Sequence, residues 1–104
     1  MRPVTISSVS NLVFSAVARE RWIALNSTDG PYERAIRRRV HSILDRLDRA
    51  PARHRVGATQ FQTNPTTWGE LISADTDGAD WIVIWTTTAG GRIYILRIEP
   101  APSL

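Results

Sequence analysis

Arg53-His54-Arg55 is the one place in this 104-residue chain where an imidazole stands between two guanidinium groups. Arginine grips phosphate through paired N–H donors, and an imidazole with an ordinary pKa of about 6.5 can move a proton near neutrality. Read as an extended segment, alternation sends Arg53 and Arg55 to one side and His54 to the other. With no second histidine close to it in sequence, His54 is expected at the surface. Any catalysis through it needs partners from elsewhere in the chain.

Those partners would be Arg97 and Glu70. Arg92 and Arg97 flank the apolar run Ile93-Tyr-Ile-Leu96. Alternation places Arg97 with Ile93 and Ile95, emerging near one end of a sheet face. A charge there needs an acid beside it, and Glu70 or Glu99 can serve. His54, Arg97 and Glu70 are therefore the catalytic candidates if the protein is a ribonuclease.

The densest basic run is Arg37-Arg38-Arg39. On a helix these positions span roughly 200° of arc, so they cannot all meet one partner. They form either a solvated face, partly neutralised by Glu33, Asp45 and Asp48, or a phosphate-binding face. In the second case Arg38, Arg46 and Arg49 would each meet a phosphate, and binding would weaken steeply with salt. Arg53, Arg55 and Arg92 complete the candidate contacts for nucleic acid or an acidic partner. Asp75-x-Asp77-Gly78-x-Asp80 lacks the spacing and terminal glutamate of a calcium loop and reads as a turn. There is no phosphate-cradling glycine loop, no legible Ser/His/Asp order and no metal-ligand spacing, so no cofactor is expected.

Composition narrows the class. All 13 basic residues are arginine, and cysteine is absent, which excludes thiol chemistry, disulfides and cysteine-held metals. Residues 1–56 carry eleven arginines against five acids, whereas residues 57–104 carry two against five. One half is basic and the other mildly acidic, which suits an anionic partner for the first half. No apolar run is long enough to span a membrane, and the start lacks a signal-peptide core, so a cytoplasmic protein of one domain, residues 1–104, is expected.

The elements that position these groups follow from periodicity. A short strand at Pro3–Ile6 is expected, then a helix over about Asn11–Leu25 on the stripe Phe14, Val17, Ala18, Trp22, Leu25, capped by Ser8 or Ser10. Pro31 to Ala50 is the clearest helix, with Ile36, Val40, Ile43, Leu44 and Leu47 at helical spacing and Pro51 as its stop. Glu33–Arg37 and Asp45–Arg49 are i,i+4 pairs. From Arg53 the period becomes two. Arg53–Thr63 reads as an outer strand or extended loop, Asn64-Pro65 as a turn, and Thr66–Ser73 as a half-buried strand anchored by Trp68 and Leu71. Trp81–Trp85 and Ile93–Ile98 are apolar on both sides and belong at the centre of the sheet, with Trp68, Trp81 and Trp85 as core. The tail Pro100–Leu104 should be loose. The fold class is α+β: a short N-terminal strand and an antiparallel two-helix hairpin packed on one face of a three- to four-stranded antiparallel meander.

This order resembles the RelE/ParE superfamily of toxins from type II toxin–antitoxin pairs over most of the chain. The local likeness lies in Asp80-Trp-Ile-Val-Ile-Trp85, in Arg92-Ile-Tyr-Ile-Leu-Arg-Ile98, and in Leu44-Asp-Arg-Leu-Asp-Arg-Ala-Pro51. The resemblance implies a toxin that binds a large target, either the ribosome with its mRNA or DNA gyrase, and is neutralised by a cognate antitoxin. In the nuclease branch it implies ribosome-dependent mRNA cleavage, with arginines and lysines on phosphates and a terminal tyrosine or histidine moving protons. Here the position of the usual strand arginine is Ile82, the last strand is followed by Glu99-Pro100-Ala101-Pro102, and lysine is absent. The expectation is a toxin that binds rather than cleaves; the alternative is a non-toxic interaction domain for nucleic acid or an acidic protein segment.

Overall fold

β-Branched and aromatic residues crowd two stretches near the C-terminus, and both become strands of one sheet. The structure, a computed structural model, describes residues 10–74 and 78–102. Its elements are β1 (Leu12–Phe14), α1 (Ala16–Asn26), α2 (Pro31–Arg49), a 3₁₀ turn (Pro51–Arg53), β2 (Thr59–Phe61), β3 (Thr67–Ile72), β4 (Trp81–Thr87) and β5 (Ile93–Pro100). The sheet has five strands in the order β1-β5-β4-β3-β2. The expected α+β class holds, with one difference: β1 runs parallel to β5, so the sheet is mixed rather than wholly antiparallel. Two helices separate β1 from the rest of the sheet, and such a crossover lets a strand return parallel, as a tight hairpin cannot.

The expected strand at Pro3–Ile6 lies outside the described residues. Leu12–Phe14 takes the edge position instead, in residues expected to open the first helix. The reason is tertiary. Ile93 N–H donates to Asn11 O at 2.8 Å, and Asp48 at the end of α2 accepts from Asn11 N–H at 2.7 Å and from Ser10 Oγ at 3.1 Å. The helix therefore starts at Ala16. Its cap is Ser15, whose Oγ accepts from Ala18 N–H at 3.0 Å, rather than Ser8 or Ser10.

The second helix has the expected bounds, with Gly30 at the N-cap, Pro31 as its first residue and the expected stripe buried. Arg37 does not use Glu33 as its partner. Its Nη1 donates to Thr28 O at 2.9 Å and lies 3.4 Å from Asn26 O, neutralising the carbonyl end of α1. The Asp45–Arg49 pair forms at 2.5 Å.

Both helices feed one core with the sheet: Ala18, Leu25, Ile36, Val40 and Leu47 meet Val83, Trp85, Ile93, Ile95 and Ile98. β4 and β5 are the central strands, as expected. A bulge alters what they present. Ile84 pairs with Arg97 but Trp85 pairs with Ile95, leaving Leu96 as the extra residue. The phase of β5 flips there. Ile98 turns into the core, and Arg97 stands on the opposite face from Ile93 and Ile95, contrary to simple alternation. The bulge is braced by Ser15, whose N–H donates to Ile95 O at 2.9 Å and whose Oγ donates to Leu96 O at 2.8 Å.

The face turned away from the helices carries Val13, Leu71, Ile82, Ile84, Tyr94 and Leu96, none of which joins the core. Phe61 packs there over Gly69, where a Cβ would lie 2.8 Å from its ring. Leu71 is 59% exposed, so Trp68 and Ile72 are the apolar side chains of β3 that enter the core. The segment after β5 is tied as far as Ala101, whose N–H donates to Asp80 O at 2.7 Å.

Candidate functional site

Pro51 ends α2 and starts a 3₁₀ turn, which places His54 in helical backbone at φ −62°, ψ −20°. Strand alternation therefore does not govern Arg53-His54-Arg55. His54 folds inward and is 7% exposed, not a surface residue as expected. It completes a cluster with two indoles that stand opposite one another in register, Trp68 on β3 and Trp85 on β4. Trp85 Nε1–H donates to His54 Nδ1 at 3.0 Å. The His54 ring meets Trp68 edge-on, with centroids 4.5 Å apart. The Arg55 guanidinium lies 5.4 Å from the centre of the Trp68 ring, within cation–π range.

This geometry fixes the chemistry of the imidazole. An indole nitrogen only donates, so the lone pair of His54 Nδ1 is occupied and the ring proton resides on Nε2. Burial, and next the charge of Arg55, hold its pKa below the ordinary value. At neutral pH the ring is uncharged. Nε2 has no lone pair with which to take a proton, and the neutral ring is a poor acid. His54 is thus a fixed hydrogen-bond donor and a wedge between sheet and helix end, not a proton shuttle.

The basic groups around it are Arg46, which is paired with Glu70, and Arg53 and Arg55. Trp68 Nε1–H is buried without an acceptor among the described residues. Arg53 and Arg55 make no ion pair among the described residues. A cleft of about 230 Å³ runs along the end of α2 past Arg46, Ala50, Arg53, His54 and Val56. Another of about 470 Å³ lies between the 3₁₀ turn and the β4–β5 turn, against Pro51, Arg55, Thr87 and Thr88. His54 borders both. The guanidinium groups of Arg53 and Arg55 at this rim suit an anion.

The three catalytic candidates do not converge. Glu70 is paired with Arg46. Arg97, on the far face of the sheet, lies 3.6 Å from Glu99. Of the binding candidates, Arg92 is an internal clamp, its Nη2 donating to Ser10 O at 3.0 Å, and Arg49 is held by Asp45. Arg38 is exposed on the flank of α2 toward α1, away from Arg53 and Arg55. Of the binding candidates Arg46, Arg53 and Arg55 gather beside His54, Arg46 with Glu70 on it. Sequence reasoning missed the two tryptophans as His54's partners. The cluster joins residues 31 apart in the Trp85–His54 bond, and no local spacing signals it. Among the described residues no three histidine or acidic side chains are grouped to hold a metal ion, and no helix is long and apolar enough to cross a membrane.

Comparison with protein-family models, curated proteins and solved structures found no match.

Proposed function

We propose that this protein is a growth-inhibiting toxin of the RelE/ParE kind. It acts by occupying a large target in the cytoplasm, the ribosome with its mRNA or DNA gyrase, and does not itself cleave RNA. The observation that carries the binding half of this reading is the His54 site. Its imidazole is locked by Trp85 in a form that neither takes nor readily gives a proton, while Arg53 and Arg55, which form no ion pair among the described residues, flank it with positive charge and Arg46 beside it is paired with Glu70. A nuclease needs a proton donor and acceptor on either side of the scissile phosphate; at this rim His54 is held as a donor and the nearby carboxylate of Glu70 is engaged by Arg46. The toxin half rests on the order of elements and on the resemblance of the two central strands. A cognate antitoxin with acidic contacts would cover the same arginines.

Induced expression in a bacterial host tests it. Growth should arrest. Arg53→Glu with Arg55→Glu should restore growth, whereas His54→Asn, which keeps an acceptor for Trp85 N–H, should still arrest it without generating cleaved mRNA. Loss of cleaved mRNA fragments on His54→Asn would instead establish the nuclease. Unimpaired growth with abundant folded protein would favour the non-toxic interaction domain.

A further inference from the structure

The groove between α1 and α2 is a second candidate site, set apart from the rim at His54. Trp22 and Asn26 of α1 face Arg34, Arg37, Arg38 and His41 of α2 across a cleft of about 360 Å³. Arg34, Arg38 and His41 fall at i, i+4 and i+7, so they line one flank of α2. Arg46 leaves the other flank, toward Glu70 on β3.

Like charges at i,i+4 repel one another along a helix. Arg34 and Arg38 are such a pair, no carboxylate lines the cleft, and neither arginine forms an ion pair among the described residues. An anion between them would relieve the repulsion. Arg37 is already fixed on the carbonyl end of α1. Trp22 is half-buried and offers its indole as a wall. Asn26 Nδ2 donates to Trp22 O at 2.7 Å, which leaves Oδ1 and the second N–H without a partner among the described residues. An acceptor and a donor side by side, next to an aromatic plane, are what a nucleobase edge requires.

Farther along, the groove changes sign. The adjoining cleft of about 220 Å³ is shared by Trp22 and His41 but continues to Asp45 and Asp48. A polynucleotide running through would carry its next phosphate into those carboxylates. The groove is cationic at one end only, and its volume falls within the range of small-molecule sites.

We propose that this groove binds a single nucleoside 5′-monophosphate, with the base on Trp22 and Asn26 and the phosphate between Arg34 and Arg38. The site does not depend on the toxin reading.

Titration of the full chain with AMP tests it, followed by calorimetry and by tryptophan fluorescence. Trp68, Trp81 and Trp85 are buried, so quenching reports Trp22. Saturable one-to-one binding is expected, with adenosine and inorganic phosphate each weaker by about tenfold or more. Arg38→Glu and Trp22→Leu should each weaken AMP by about tenfold, Trp22→Phe should retain most of the affinity, and Arg53→Glu should change nothing. Arg38 is exposed, so that variant carries the test if Trp22→Leu does not fold by circular dichroism. Inorganic phosphate binding as well as AMP, an RNA hexamer binding where AMP does not, or unchanged affinity in Arg38→Glu would each overturn the proposal.

Discussion

Trp85 and Ile84 are neighbours on β4, yet they stand on opposite faces of the sheet and in different surroundings. Trp85 is fully buried under the end of α2 and donates to His54; Ile84 is half-buried on a face that no helix of the described residues covers. The same contrast runs down β3, where Ile72 is 3% exposed and Leu71 is 59%. Both faces are written in the same β-branched and aromatic vocabulary. The difference shows that alternation assigns residues to faces, while the placement of α1 and α2 decides which face becomes core.

Substitution of the neighbouring pair breaks or confirms that contrast most directly. Trp85→Ala should cost about 3–5 kcal/mol by urea denaturation, because it opens a cavity and leaves His54 Nδ1 without its donor. Ile84→Ala should cost about 1 kcal/mol, since much of its surface already faces water. Equal losses would mean that the second face is as covered as the first.

Ser15 holds the point where the two faces exchange residues. Its Oγ caps α1 and braces the bulge carbonyl of Leu96. Ser15→Ala should cost about 1–2 kcal/mol, with increased hydrogen exchange at Ala18 and around Leu96. An unchanged midpoint would show that the bulge stands without this brace.

On the covered side, His54 makes stability depend on pH. Its pKa is lowered in the fold, chiefly by burial, so the unfolded chain takes up the proton first as pH falls. Stability should therefore be level above the ordinary histidine range and decline as pH drops through it, by at most about 1.4 kcal/mol per pH unit. The urea midpoint of His54→Asn should lack this decline. If wild type and variant lose stability in parallel, another group is responsible.

Much of this arrangement was legible in the chain. α2 was clear because five apolar residues repeat at helical spacing between a proline start and a proline stop. The central strands and the core tryptophans were clear from length and composition. Three features were not, each for a physical reason. Leu12–Phe14 has the pattern of a helix start, and only its bonds to β5 and Asp48 make it a strand. The bulge at Leu96 leaves no mark in the run Ile93–Ile98, so Arg97 was placed on the wrong face. His54 is buried by tryptophans from two strands, so its tautomer is set only once the sheet has formed. The arginines were visible as a class, but not which of them would be occupied: Arg37 and Arg92 cap backbone carbonyls, whereas Arg53 and Arg55 do not.

The smallest effect sharpens the comparison from its exposed side. Leu71→Thr introduces a β-branched residue on β3 and removes apolar surface from a side chain that already sits mostly in water, so stability should change by less than about 0.5 kcal/mol. The same substitution should reduce concentration-dependent light scattering, because Leu71 is the most exposed member of an apolar face that includes Ile82 and Ile84. A loss on the scale expected for Trp85→Ala would place Leu71 under cover. The two faces would then differ in what covers them and not in whether they are covered.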